Sequence, residues 1–511
     1  MKKTKHQAVF GDFQTPLDLA RRVAQLVEKR TPRVRTVVEP TCGTGNFLRA
    51  ATEVFGDRPD YRGFDLDPAH VEASRAVLDA CPGLSGRVER KDFYTADWKT
   101  FLADRPAPVL VIGNPPWATS AALGALGGGN LPKKSNFQKH AGFDAKTGKA
   151  NFDISEWMLI RLLEAMQGTR AALAMLCKTA TARKVLGHAW RNGLEAGPST
   201  LHRLDAKAAF GVSADACLLY THTGSKPVEP AATVYRDLSF DAPRGTFGLL
   251  DGRLVSDVDA YRALRDLDGP KRRRWRSGVK HDASRIMEFT EEDGVFVNGL
   301  GERYALEETH LFPLLKSSDL ANGRLRSARR VLVTQRRIGD DTGGIRRSAP
   351  RTWRYLLDHA GPLDRRRSSV YAKGPRFSVF GVGDYTFTPA RVAVSGLYKT
   401  PAFRAVGRSR GKPVLVDDTC YVLPCRTFAE ASFFADLLNA ETAMRFLSAL
   451  VFLDAKRPVT IDVLERIDLL ALAARAGRGA QAKAYLEGSH RGDRRETPGA
   501  SSAFDPLRSR R

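Results

Sequence analysis

Asn114-Pro115-Pro116-Trp117 directly follows the apolar run Val109-Leu110-Val111-Ile112 and Gly113. These residue types suit chemistry on an amino group conjugated to a ring. Such a nitrogen shares its lone pair with the ring, so it attacks an electrophile only when its hydrogens are held and the pair is localised on nitrogen. The side-chain carbonyl of Asn114 offers one acceptor. The main-chain carbonyl of Pro115 offers a second, aimed by two neighbouring prolines whose φ is locked. Trp117 adds a flat face to cover the ring. A turn that ends a strand is the plain alternative, because Asn before Pro favours turns.

A second set of residues suits the holding of a nucleoside. Glu39-Pro40-Thr41-Cys42-Gly43-Thr44-Gly45-Asn46-Phe47 contains glycines that let backbone approach a ligand at the end of a strand. The dinucleotide fingerprint G-x-G-x-x-G is incomplete, since Leu48 stands at its third glycine, and the phosphate-binding lysine of a P-loop is absent. A pyrophosphate cradle is therefore disfavoured. Glu39 suits the ammonium group of a methionine moiety instead. Asp65 follows Gly45 by 20 residues, where an acid at the end of a second strand commonly holds two ribose hydroxyls. Asp92-Phe93 offers a carboxylate for an adenine amino group and an apolar wall, with a helix or turn cap as the alternative for Asp92.

The elements that must position these groups alternate between strand and helix over residues 15 to 225, the pattern of a mostly parallel sheet covered on both faces. Thr15 reads as a cap and Pro16 as the first turn of a helix with Leu17, Ala20, Val23, Ala24 and Val27 on one face. Strands are expected at Val34 to Val38, Tyr61 to Leu66, Val109 to Ile112, Ala171 to Cys177 and Ala216 to Tyr220. Helices are expected at Asn46 to Phe55, Ala69 to Ala80 and Glu156 to Met166. Gly, Pro and charge between residues 224 and 245 suggest a boundary. The resulting division is 1–228, then 246–472 of mixed α and β with helices at Phe428 to Leu450 and Ile461 to Leu472, then a disordered basic tail over 487–511.

With 511 residues the chain is long enough for two to four domains at about 100 to 200 residues each. Eighty-one Lys and Arg against 57 Asp and Glu give a net charge of +24, which favours a polyanionic partner. The basic segments concentrate after residue 246 and include Lys271-Arg272-Arg273-Arg274-Trp275-Arg276, Arg336-Arg337 and Arg365-Arg366-Arg367. Six scattered cysteines lack metal-ligand spacing, so no metal site and no disulfide framework is expected, and a reducing cytoplasm fits. No signal peptide and no span of about 18 apolar residues is evident, so neither export nor a membrane location is expected.

Together these segments resemble the N6-adenine DNA methyltransferases of bacterial restriction-modification systems, in the class whose cofactor motifs precede a C-terminal target-recognition domain. Phe13-Gln14-Thr15-Pro16 resembles that family's leading cofactor motif, Glu39 to Phe47 its glycine loop, Asp65 its ribose acid, Asp92-Phe93 its adenine contact and Asn114 to Trp117 its catalytic tetrapeptide. Phe210 matches the aromatic residue that packs on the extruded base. Trp275 to Asp282 and Pro375 to Tyr385 resemble segments of the recognition region, and Lys456-Arg457-Pro458-Val459-Thr460 its closing element. Coverage runs roughly from residue 10 to residue 470. Cys42 departs from the family's usual residue, with little consequence where only main chain must approach.

The resemblance implies a Rossmann-like S-adenosylmethionine-dependent methyltransferase domain followed by a mixed α/β DNA-recognition domain. It further implies methyl transfer from S-adenosylmethionine to N6 of adenine in duplex DNA, beside the nucleoid, with a separate cognate endonuclease as a possible partner. Phe13, Gln14, Thr15, Pro16, Glu39, Pro40, Thr41, Gly43, Gly45, Asp65, Asp92, Phe93 and Asn114 become the cofactor candidates, with Trp117 and Phe210 against the base. Candidate DNA contacts are Arg273, Arg274, Trp275, Lys280, Arg336, Arg376, Lys456 and Arg457. Four rival readings stay open. A protein-glutamine methyltransferase also uses Asn-Pro-Pro, although usually ending in Tyr and without a large basic domain. Cytosine N4 is a closer rival, although Ser more often opens its tetrapeptide. Pro59-Asp60 with Asp97-Trp98-Lys99 superficially resembles a nuclease pattern. The last rival is a non-catalytic basic nucleic-acid-binding protein.

Overall fold

The computed structural model describes residues 14–118, 153–224 and 229–487. It divides into two compact units, one ending at Asp259 and the other beginning at Ala260. Phe13 and the segment after residue 487 lie outside the described residues.

The first unit is built on one ten-stranded sheet. Its strands are β1 (Thr36–Glu39), β2 (Asp60–Asp65), β3 (Ser85–Arg90), β4 (Val109–Gly113), β5 (Ala171–Lys178), β6 (Ser199–Asp205), β7 (Asp215–His222), β8 (Ala231–Tyr235), β9 (Pro243–Leu250) and β10 (Arg253–Val255). They lie in the order 10-9-8-6-7-5-4-1-2-3. Strands β3, β2, β1, β4 and β5 pair in parallel, and β7 enters antiparallel between β5 and β6. All of β1 and β4 is buried, as expected of Val- and Leu-rich central strands covered on both faces.

Among the described residues the helices of this part are α1 (Leu17–Glu28), α2 (Asn46–Phe55), α3 (Pro68–Asp79), α4 (Trp98–Ala103), α5 (Ile154–Ala165), α6 (Thr179–Arg191) and α7 (Ala206–Phe210). α1 buries Leu19, Ala20, Val23, Ala24, Leu26 and Val27, the stripe expected at helical spacing. α2 buries Phe47, Leu48, Ala50, Ala51 and Phe55 into the same core. Thr15 does not cap α1. Pro16 occupies that position without a side-chain bond, and the Thr15 carbonyl instead accepts from Asn46 Nδ2 at 2.8 Å, which ties the start of α1 to the start of α2.

The Gly- and Pro-rich stretch at 224–245 does not end the first unit. β8 pairs in parallel with β6, and β9 and β10 extend the same sheet. Pro243 sits beside a register irregularity at Val234/Tyr235, a position where a missing backbone donor is tolerated. The turn residues there mark the fringe of a sheet.

The second unit holds two larger sheets. One orders Arg276–Ser277, Cys420–Cys425, Ala390–Ser395 and Arg404–Val406, all antiparallel. The other orders Arg303–Tyr304, Val295–Asn298, Glu288–Glu292, Arg329–Leu332, Leu311–Leu315 and Leu415–Val416. Helices Phe428–Asn439 and Glu441–Leu450 follow, then Ile461–Leu464 and Leu469–Arg475. Among the described residues no helix is long and apolar enough to cross a membrane.

Candidate active site at the strand ends

Parallel strands that run in opposite chain order from a common neighbour leave a crevice at their carboxyl ends. Here that switch falls at β1, flanked by β2 and β4. Glu39 ends β1, Asp65 ends β2, and Asn114 follows β4 by one residue. Three groups separated by up to 75 positions in sequence thus reach one edge of one sheet. A Cβ placed on Gly113 would come within 3.4 Å of Glu39 Cγ, so the acid and the start of the tetrapeptide are immediate neighbours.

Between β1 and α2 the glycine loop folds back on itself. Gly43 and Gly45 both adopt positive φ, +51° and +84°, a conformation that side chains with a Cβ rarely accept. Any Cβ would also collide, at 2.6 Å from Gln14 Oε1 for Gly43 and 2.9 Å from Ser74 Oγ for Gly45. Gln14 Oε1 accepts from the Thr44 amide and from its hydroxyl, both at 3.0 Å. Two motifs 30 residues apart in sequence are therefore joined directly. Ser74, on α3, donates to the Gly43 carbonyl at 2.8 Å, and the Cys42 amide donates to the Phe64 carbonyl at 2.8 Å. The loop is fixed from three sides. The Thr41 hydroxyl is shielded from water and has no hydrogen-bond partner among the described residues.

Glu39 is 2% exposed, and its Oε2 accepts from the Leu48 amide at 3.1 Å. Burial raises its carboxyl well above the ordinary range; the Leu48 amide opposes the shift and the Asp65 carboxylate adds to it. Burial, reinforced by Glu39, likewise pushes the Cys42 thiol up. Asp65 Oδ2 accepts from the Gly43 amide and Oδ1 from the Asp67 amide, each at 2.9 Å. His70 Nδ1 also lies 3.4 Å from Oδ1, so it is Oδ2 that keeps a second lone pair for a ligand. Leu66, next along, is an apolar residue 44% exposed.

Asp92 turns its Oδ1 onto the Tyr94 amide at 2.9 Å, the turn role weighed for it in sequence. Phe93 is 7% exposed in an aromatic cluster with Trp98 at 5.0 Å and Trp157 at 6.1 Å. Its carbonyl accepts from the Trp98 indole at 3.0 Å. Burial pushes the neighbouring Tyr94 hydroxyl up to about 12. The acids of the nuclease-like pattern have structural uses: Asp97 caps α4 through the Thr100 amide and Asp60 pairs with Arg62.

Trp117 is not a free platform but an interior residue at 8% exposure. Its indole N–H donates to the Leu176 carbonyl at 3.4 Å, and its ring meets Phe210 edge to face at 5.2 Å. Phe210 is the last residue of α7, ahead of the left-handed Gly211, and is only half-buried. Sequence reading missed Lys178 and Asp153, which flank the same segment. Lys178 Nζ lies 2.5 Å from Asp153 Oδ2 and 3.4 Å from the Trp117 carbonyl. The available signals were a charge closing the apolar strand β5 and an Asp-Ile-Ser cap before α5.

In the second unit the recognition-like segments at 275–282 and 375–385 do come together, through reciprocal backbone bonds of 2.8 Å between Lys280 and Phe380. Several candidate DNA contacts do not face outward. Arg273, its side chain 10% exposed, lies against Glu430 at 2.5 Å, Trp275 is 4% exposed beside Phe403, and Lys280 is 9% exposed with Asp282 at 3.6 Å. Their charge or ring is spent inside the unit. Lys271 and Arg272 of the same run pair with Glu465 and Asp468. Arg274, Arg336, Arg376 and Lys456 are exposed, with Arg376 paired to Asp364 at 2.7 Å and Arg336 over the Phe387 ring at 4.3 Å. Arg457 is half-buried and donates to the Asp418 carbonyl at 3.1 Å. Among the described residues no group of three His, Cys, Asp or Glu side chains is arranged to hold a metal ion.

The first unit is thus a Rossmann-like α/β fold of the methyltransferase class, with its polar groups gathered at the switch point of the sheet. The sequence is 38% identical over 475 residues to the Type II methyltransferase M.NspV of Nostoc sp., covering 93% of this chain and 98% of that one. It is 31% identical over 126 residues to the Type II methyltransferase M.VspI of Vibrio sp., covering 24% of this chain and 27% of that one. Among solved structures it is similar to the Type IIL restriction-modification enzyme MmeI in complex with DNA, with a TM-score of 0.47 and 13% identity over 94% of this chain and 73% of that chain. No protein-family model matches. The chain belongs to the Type II methyltransferases.

Proposed function

We propose that this methyltransferase modifies N6 of adenine within a short duplex DNA sequence, with S-adenosylmethionine as donor, as the modification part of a restriction-modification system. The observation that carries the reading is the meeting of Glu39, Asp65 and Asn114 at adjacent strand ends around a glycine loop without lysine or arginine. Two carboxyl groups and no cation form a poor seat for a phosphate. They suit a ligand with a cationic end and a pair of hydroxyls.

The residues present fit that donor. Glu39 would take the ammonium end, Asp65 the ribose hydroxyls, Leu66 and Phe93 the flanks of the adenine, and the Thr41 hydroxyl has hydrogen-bonding capacity to spare. When bound, the donor supplies an electrophilic methyl group. Asn114 and the Pro115 carbonyl hold the two hydrogens of the acceptor amine and direct its lone pair. Proximity and alignment then supply most of the acceleration.

An adenine in a duplex must leave the stack to reach such a site, at a cost of a few kcal/mol. Trp117 and Phe210 offset part of it, since stacking is worth about 1–3 kcal/mol per base. The two rings touch each other at 5.2 Å, so a base enters only as they part. Trp117 is held by Leu176, and Phe210 at the tip of a five-residue helix is the partner that moves. Exposed Arg336, Arg346, Arg347, Arg365 and Arg367 of the second unit would track phosphates. Native sequencing of DNA from cells with and without the protein tests the reading. One short motif carrying N6-methyladenine is expected, and N4-methylcytosine or no modified motif would contradict it.

A further inference from the structure

We propose that Lys178 and Asp153 form a latch on the tetrapeptide, which makes Lys178 a positioning residue for methyl transfer. The inference rests on the reading of Asn114 and Pro115 as the groups that hold the amine. Gly113 pairs with Met175, so the last residues of β5 run alongside the tetrapeptide. Lys178 ends that strand with Nζ on the Trp117 carbonyl at 3.4 Å and on Asp153 Oδ2 at 2.5 Å. Asp153 is itself fixed, because Oδ1 accepts from the Ser155 amide at 3.1 Å and from its hydroxyl at 2.5 Å in the first turn of α5.

The same two elements hold this stretch at two further points. Leu176 of β5 accepts the Trp117 indole, and the Ile154 amide of α5 donates to the Ala118 carbonyl at 2.9 Å. Pro115 and Pro116 have locked φ, so orientation fixed at the Trp117 peptide passes back to the Pro115 carbonyl through few remaining torsions. Lys178 is 32% exposed, and an ion pair that open to water adds little to folding. Its value lies in holding a carbonyl and a ring where small displacements are expensive; a shift of about 1 Å can cost 10²-fold in rate.

The test uses the full chain, S-adenosylmethionine and amplified, modification-free genomic DNA. Lys178→Met should lower single-turnover transfer about 10- to 100-fold, with the KM for DNA, donor affinity and Tm near wild type. Asp153→Asn, which keeps a capping side chain, should match it, and the double variant should be no worse than either. Lys178→Arg should recover most of the rate. An unchanged rate overturns the latch. So does a raised KM for DNA with kcat preserved, which would make Lys178 a phosphate contact. A rate loss that tracks a fall in Tm in both single variants also overturns it. If the wild type methylates a base other than adenine, the functional reading fails while the latch is still judged on the rate at that base.

Discussion

The strand-end crevice of the first unit and the charged segments of the second use polar residues in opposite ways. In the crevice, Asp65 and Gln14 take backbone amides from the glycine loop and Glu39 takes one from the first turn of α2, so few charges are present and each is held by main chain. In the second unit, Arg273, Arg272 and Lys271 meet carboxylates more than 150 residues further along, on Glu430, Asp468 and Glu465. The first arrangement is the one the proposed function reads as a seat for a ligand. The second spends charge on joining distant parts of a fold, and only residues such as Arg336 and Arg346 keep theirs at the surface.

The largest effect expected from this contrast is at Asn114. Asn114→Ala should reduce methyl transfer to background while donor affinity, followed by calorimetry, and DNA affinity stay near wild type. Near-normal turnover would erase the distinction between a prepared crevice and an ordinary turn. Next comes Arg273→Ala, which leaves the Glu430 carboxylate, at 1% side-chain exposure, with only the Arg426 guanidinium at 3.6 Å to balance it. Breaking a buried pair costs about 3–5 kcal/mol when no cation is left, and the loss here should fall below that range. Chemical denaturation of the second unit should show that loss, and the salt dependence of DNA binding should not change. A changed salt slope with intact stability would return Arg273 to the DNA-facing set.

Glu39 gives a smaller and pH-dependent effect. Its folded carboxyl lies well above its ordinary 4.5, so the native chain keeps a proton that the unfolded chain releases. Stability from this source is complete below about 4.5 and declines as pH rises toward the raised value. Glu39→Gln should flatten the fall of Tm as pH rises above about 4.5. A cationic donor should draw the same proton out, so calorimetry in buffers of different ionisation enthalpy should register proton release in the wild type and not in Glu39→Gln. The smallest effect belongs to single surface cations. Arg336→Ala or Arg346→Ala should weaken binding to all sequences alike and reduce the salt slope by about 1 each.

Local signals were legible in the sequence. α2 starts and ends at Asn46 and Phe55, as its helical spacing predicts, and the strands bearing Glu39, Asp65 and Asn114 are placed to within two residues. These elements are written by hydrophobic period and turn residues in their own neighbourhood. What depends on remote partners was not legible. Thr15 reads as a cap, but Asn46 claims its carbonyl. Pro243 and Gly245 read as a boundary, but pairing with β8 carries the sheet past them. Arg273 and Trp275 read as a basic, aromatic surface, but Glu430 and Phe403 take them inside. Lys178 and Asp153 are ordinary until the fold sets them 2.5 Å apart.

The most direct test of the central claim follows the methyl group itself. Modification-free DNA is incubated with the chain and donor carrying a labelled methyl, then digested to nucleosides and resolved by mass. All transferred label in N6-methyldeoxyadenosine, and none with Asn114→Ala, is the predicted result. Label in another nucleoside, label in protein, or undiminished label with Asn114→Ala would contradict it.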